Sequence, residues 1–219
     1  MNFTYSRETL LEALQATLSA IEKKQTAPIL ENVLIQVRDN AIHWRGTNLE
    51  LEVAMSTPII DATVGETTIP ARKLFDICKS LPVESMISFD ISDNRAKVSC
   101  GRSRFELIAL AASDFPDLED IEIRHEFTIP ENIFKQMFDS VGFAMANQDV
   151  RYYLNGLLLE VDIQHVRAVA TDGHRLALYT HKADTGVDEK LQAIIPRKSI
   201  LELSKLLRSD SKLDIKVQL

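Results

Sequence analysis

Two stretches of this chain are one pattern written twice. Leu30-Glu-Asn-Val-Leu-Ile-Gln-Val37 aligns with Leu154-Asn-Gly-Leu-Leu-Leu-Glu-Val161 at an offset of 124 residues. The same offset carries Phe3-Thr4 onto Phe127-Thr128 and Thr47-Asn48 onto Thr171-Asp172. At an offset of 126, Ile69-Pro70 falls on Ile195-Pro196, and Leu74, Ile77 and Leu81 fall on Ile200, Leu203 and Leu207. A drift of two residues across so long a span marks a duplicated domain. Whatever the first copy folds into, the second must follow, and this limits the architecture more than any other feature of the chain.

Each copy reads as strands and helices in a fixed order. Residues 1–6 form a short strand, with Ser6 as the cap of a helix over 8–22 whose stripe is Leu10, Leu14, Leu18 and Ile21. Val33, Ile35 and Val37 alternate as a strand, Asp39-Asn40 supplies a tight turn, and residues 41–46 return. Leu49, Leu51 and Val53 against Glu50 and Glu52 predict a half-buried strand with one wet face. Thr67 to Pro70 is a strand closed by a proline suited to a first helical turn, followed by a helix carrying Leu74, Ile77, Cys78 and Leu81. Alternation at Ile87, Phe89 and Ile91, a turn at Asp93-Asn94 and strands near 96–100 and 103–110 complete the copy.

The acidic segment 113–126 carries six carboxylates against Arg124 alone, a net −5 of the chain's −7, and reads as the linker. The domains are therefore residues 1–120 and 127–219. In the second, a helix over 132–146 with Ile133, Met137, Val141 and Met145 on one stripe is expected, and later Leu213, Ile215 and Val217 match Ile87, Phe89 and Ile91. Leu219 corresponds to Asp93, so the second copy is expected to lack its last two strands.

The composition, 45% apolar and 26% charged, is that of a soluble globular protein, and no run reaches the ~18 apolar residues of a membrane span. With no signal peptide at the start and only two cysteines, Cys78 and Cys100, a cytoplasmic protein with packed thiols is expected. No GxSxG, HExxH, Walker-type GK[ST] or GxGxxG run occurs, which argues against a hydrolase or transferase. The Asp172-Gly-His-Arg175 run invites a metal reading with His181 as a second ligand. On one extended strand, however, His174 and His181 would face opposite ways. No cofactor, metal or catalytic residue is expected.

Charge placement is more informative than net charge. Arg72 and Lys79 lie two helical turns apart and share a face, and their counterparts are Lys198 and Lys205, with Arg208 extending that side. Two readings stand: an ordinary solvated helix face, or tandem units whose helices line one surface and present these cations to a polyanion. Gln148-Asp-Val-Arg-Tyr-Tyr-Leu-Asn-Gly156 leads with polar groups and two tyrosines before an apolar strand, the composition of a recognition loop.

Six segments carry a resemblance to a known family: Ile69-Pro-Ala-Arg-Lys-Leu-Phe-Asp-Ile-Cys78, Gly101-Arg-Ser-Arg-Phe105, Asp114-Phe-Pro-Asp117, Gln148 to Gly156, Ala170-Thr-Asp-Gly-His-Arg-Leu176 and Ile195-Pro-Arg-Lys198. The chain resembles the bacterial DNA polymerase III beta subunit, the replicative sliding clamp, over its whole length. That family has three domains per subunit and closes as a head-to-tail dimer around duplex DNA. The resemblance implies an α+β DNA-clamp fold, with tandem domains of two strand–helix–strands units, helices on the inner face and antiparallel sheets outside. This chain would supply the first domain and most of the second, the third being absent.

The resemblance implies a non-catalytic processivity factor whose partners are double-stranded DNA, the polymerase III core and other polymerases, and the clamp loader. It assigns DNA-facing roles to Lys24, Arg72, Gln148, Arg151, Tyr152, Tyr153, Arg197 and Lys198. A cleft for a short partner peptide would use Leu154, Thr171, Gly173, His174, Arg175 and Leu176, completed in the family by segments beyond Leu219. Arg102, Arg104, Phe105 and Leu107 would form the first-domain side of the subunit interface. The rival reading is a peptide-binding scaffold that does not encircle DNA, which would have no use for matched cations on repeated helices.

Overall fold

A computed structural model describes residues 1–22, 27–92, 94–117, 123 and 125–219. It divides the chain into two compact units, Met1–Glu119 and Asp120–Leu219. Among the described residues, no helix is long and apolar enough to cross a membrane.

The first unit runs β1 (Asn2–Ser6), α1 (Arg7–Leu18), β2 (Asn32–Arg38), β3 (Ala41–Thr47), β4 (Glu52–Pro58), β5 (Gly65–Pro70), α2 (Ala71–Ser80), β6 (Met86–Ser92), β7 (Arg95–Cys100) and β8 (Ser103–Ile108). Two antiparallel sheets result, ordered β4-β3-β2-β5 and β1-β6-β7-β8. Their inner faces and the two helices enclose one core, which includes Phe3, Leu10, Leu14, Ile35, Trp44, Leu74, Cys78, Phe89 and Val98. Burial pushes the Cys78 thiol up to about 12, so it stays protonated and packs as a small apolar group.

The second unit repeats the order with β9 (Glu126–Pro130), α3 (Glu131–Val141), β10 (Gly156–Asp162), β11 (His165–Thr171), β12 (Leu176–Lys182), β13 (Leu191–Pro196), α4 (Arg197–Leu206) and β14 (Asp214–Gln218). Its sheets are β12-β11-β10-β13 and the pair β14-β9. The duplication extends to register. Leu34 faces Arg45 and Thr68 in the first unit, and Leu158, 124 residues on, faces Val169 and Ile194 in the second.

Local chemistry explains most element ends. Ser6 accepts from the Thr9 amide at 3.2 Å and starts α1. The helix stops at Leu18, four residues before the expected end, because Ser19, Ala20 and Ile21 donate to carbonyls three residues back, a tighter winding. Asp39 and Asn40 both take positive φ, 53° and 57°, as the hairpin turn requires. Asp93 lies outside the described residues, while Asn94 has φ 62°.

Two expectations fail for identifiable reasons. Residues 49–51 are not strand. Asn48 Oδ1 accepts from the Glu50 and Leu51 amides at 3.1 and 2.8 Å, Thr47 Oγ1 accepts from Leu49, and β4 begins only at Glu52. Short polar side chains have captured the backbone there, leaving Leu49 exposed at φ 76°. The helix expected over 132–146 ends at Val141. Its buried stripe is Phe134, Met137, Phe138 and Val141, with Ile133 only partly buried, and residues 142–144 form a short 3-10 turn. Pro70 is the N-cap of α2 while still paired with Asn32 in the sheet, so one proline ends a strand and starts a helix.

Candidate nucleic-acid and peptide interface

The turn between β11 and β12 is held by its own side chains. Thr171 Oγ1 donates to the Arg175 carbonyl at 2.7 Å and accepts from the Gly173 amide at 3.1 Å. Asp172 Oδ1 accepts from the His174 and Arg175 amides at 2.9 and 3.0 Å, and Oδ2 accepts from Arg175 Nε at 2.9 Å. These backbone bonds, His174 first, lower the Asp172 carboxyl below its ordinary value. Gly173 sits at φ 88°, a left-handed position that a side chain would strain. The guanidinium of Arg175 lies 5.4 Å from the centre of the exposed Phe143 ring, within cation–π range. His174 therefore belongs to this turn and only His181 to β12, so the two do not share the extended strand expected for them.

Beyond Arg175 the sheet face turns apolar. Leu178, Val169, Leu158 and Ile194 occupy one rung across all four strands. Leu176, Leu178 and Ile194 are 64%, 55% and 53% exposed, a cluster of the kind that marks a docking surface. Leu154, by contrast, is buried. The next rung is wholly polar. Arg167 donates to Thr180 and Glu160, and Gln192 donates to Glu160, which Lys190 also meets at 2.6 Å. Lys190 above all holds the nearly buried Glu160 carboxyl at about 2.

A second exposed surface leads into β10. Gln148 takes φ 59°, and Arg151, Tyr152 and Tyr153 follow, the last two 83% and 52% exposed with their rings edge-on at 6.1 Å. Asp149 grips Arg151 Nε and one terminal nitrogen at 3.0 Å each, and Asn155 brackets Asp149 through its amide and carbonyl at 2.9 and 2.8 Å. The Arg151 guanidinium holds the Asp149 carboxyl at about 2.

The helix cations divide. Arg72 and Lys79 are exposed on α2, and Arg72 spends one bond on the Ile21 carbonyl beyond the end of α1. Lys205 pairs with Glu202, and Arg208 lies past the end of α4, where its amide donates to Glu131. Lys198 is half-buried. Arg197 is turned inward, donating to the carbonyls of Met145 and Gly142 at 3.1 and 3.4 Å. Lys24 lies outside the described residues. On β8, an edge strand, Arg104 is exposed and Phe105 half-buried, while Leu107 faces the unit's own core; Arg102 is exposed in the turn before them.

The family patterns match this frame unit by unit. The N-terminal domain of the DNA polymerase III beta subunit matches residues 1–119, and its central domain matches residues 128–219. The chain belongs to the DNA polymerase III beta subunit family. It is 46% identical over 208 residues to the beta sliding clamp of Pseudomonas aeruginosa and 42% identical to that of Escherichia coli K12. Each alignment covers 94% of this chain and 57% of the relative, so the chain spans little more than half the length of these relatives. A solved sliding clamp from Pseudomonas aeruginosa bound to griselimycin superposes with a TM-score of 0.95 at 44% identity, over 100% of this chain and 59% of that one. The fold is therefore the α+β clamp fold.

Sequence reasoning did not find Phe143, Leu178 or Ile194 as contributors, and it quoted Asp149, Asn155 and Asp172 within its motifs without giving them a role. For Leu178 the signal was present, since Leu176 and Leu178 are two apart and share a strand face. For Phe143 no local signal existed, because its role depends on a turn that ends α3 early.

Proposed function

We propose that this chain is part of a ring-shaped sliding clamp, the non-catalytic processivity factor of a bacterial replicative polymerase. The ring, a head-to-tail homodimer of the full-length protein opened by a clamp loader in the cytoplasm, encircles duplex DNA and docks polymerases through a peptide cleft. Domains 1–120 and 127–219 are joined by the acidic segment 113–126. The observation that carries this reading is the pairing of two unlike exposed surfaces on one unit, a loop at 148–153 that presents two exposed tyrosines beside the Asp149-paired Arg151, and an apolar rung next to the Arg175 turn.

The DNA contacts of this reading are Lys24, Arg72, Gln148, Arg151, Tyr152, Tyr153 and Lys198. Contacts of this kind centre DNA without reading its bases, as a protein that slides requires. Leu154, Thr171, Gly173, His174, Arg175 and Leu176 form the cleft, where an apolar anchor fills the surface beside Leu176 and Arg175 bonds the peptide backbone. Arg102, Arg104, Phe105 and Leu107 supply one side of the subunit interface along the β8 edge.

The test uses the full-length protein loaded on nicked circular DNA. Retention that vanishes when the circle is linearised supports encirclement; retention that survives linearisation, or never occurs, favours the peptide-binding scaffold. In parallel, Arg175→Ala weakens a fluorescein-labelled peptide from the cognate polymerase by about tenfold, the scale of an interfacial arginine. Unchanged affinity removes the cleft assignment.

A further inference from the structure

We infer that Arg197 is a positioning residue of the peptide cleft rather than a DNA contact; this rests on the cleft reading above. Arg197 opens α4 and ties two separate segments to that helix. Its amide donates to the Asn155 carbonyl at 2.9 Å, and its guanidinium donates to the carbonyls of Gly142 and Met145. Those two carbonyls flank the 3-10 turn that presents Phe143, and the Phe143 ring lies under Arg175.

The amide leads to the same turn from the other side. Asn155 brackets Asp149, Asp149 grips Arg151, and the Arg151 guanidinium packs so closely on Gly173 that an added Cβ would stand 3.1 Å from it. The loop at Thr171–Leu176 is thus braced by Phe143 and by Arg151, and Arg197 anchors both braces. The Arg151 side chain, although gripped by Asp149, stays 49% exposed, whereas the half-buried Arg197 spends its guanidinium on main-chain carbonyls, which a passing phosphate would have to displace.

Four single variants and one double variant of the full-length protein test this with the labelled polymerase peptide and with the salt dependence of retention on circular DNA. Phe143→Leu keeps apolar bulk at an exposed position, so folding is not at issue, and removes the ring. Peptide affinity falls about three- to fivefold, the worth of an exposed cation–π contact, while Phe143→Tyr restores it. In a double-mutant cycle with Arg175→Ala, the Phe143→Leu effect disappears, because the two act as one. Arg197→Ala weakens the peptide by at least the same factor and leaves the salt slope of retention unchanged.

Additive effects in the cycle, unchanged peptide affinity in Arg197→Ala, or a fall of about one in its salt slope overturns the inference. If Arg175→Ala itself has no effect, the cleft reading fails and takes this inference with it. If Arg175→Ala weakens binding but Phe143→Leu and Arg197→Ala do not, only the inference fails.

Discussion

The two units have one frame and distribute bulk within it in opposite ways. In the first, the helix facing the sheet contributes Leu10, Ala13, Leu14 and Thr17, and the strand opposite contributes Trp44. In the second, the same helix positions carry Phe134, Met137, Phe138 and Val141, and the position of Trp44 is Ala168. Large residues have moved from the sheet layer to the helix layer. Cores tolerate such exchange when volume and patterning are kept. The duplication thus preserves where apolar groups stand, not which ones they are.

A close approach differs in the same way. Gly46 lies where a Cβ would come within 2.6 Å of the Thr17 carbonyl, whereas its counterpart is Ala170, which is buried. The first unit brings helix and strand nearer at that point and needs the missing side chain. The outer sheet faces differ too. Arg45 on β3 is covered by Phe115, at 5.9 Å from ring centre to guanidinium, and by Asp117, while Thr68 on β5 bridges to Leu110. The corresponding positions, Val169 and Ile194, belong to the open apolar rung.

These contrasts can be broken experimentally. Trp44→Ala should have the largest effect, destabilising the first unit by about 3–5 kcal/mol, since the indole is fully buried and its N–H donates to Thr57. Calorimetry checks this, and a loss under 1 kcal/mol would mean that the helix layer already fills the space. Gly46→Ala should cost about 1–3 kcal/mol through overpacking against main chain. The reciprocal Ala170→Gly should cost only about 0.5–1 kcal/mol, the backbone penalty of glycine in a strand. Equal costs at the two sites would remove the claimed difference in approach.

A further contrast concerns pH. Glu160 has Gln36 as its counterpart, so only the second unit has this buried carboxylate. Lys190, Gln192, Arg167 and His165 surround it, and its folded pKa is about 2 against an ordinary 4.5. A depressed carboxyl stabilises above its unfolded value and loses that contribution as pH falls through the folded one. Denaturation of the second unit should therefore steepen between pH 4.5 and about 2. Glu160→Gln should flatten that slope and lower stability at neutral pH; an unchanged acid profile would show that the carboxylate is not coupled to folding.

The repeat made most of the fold legible, because offsets of 124 and 126 carry each strand and helix of the second unit onto the first. What stayed hidden depends on competition between local and distant groups. At Asn48, side-chain capture beat an alternating pattern that looked like strand. At the end of α3, the chain tightens at Gly142 and moves Phe143 out to the surface. The family resemblance gave Arg197 a DNA-facing role, and the carbonyls that its guanidinium meets lie more than fifty residues earlier in the chain. Carbonyls brought near only by tertiary folding leave no mark on spacing.

Trp44 is the chain's sole tryptophan, and it is sealed within the first unit. Its emission is a built-in reporter for that half alone, whereas far-ultraviolet dichroism sums both halves. Following the two signals through one titration would reveal whether the halves melt together or in sequence, without attaching any label.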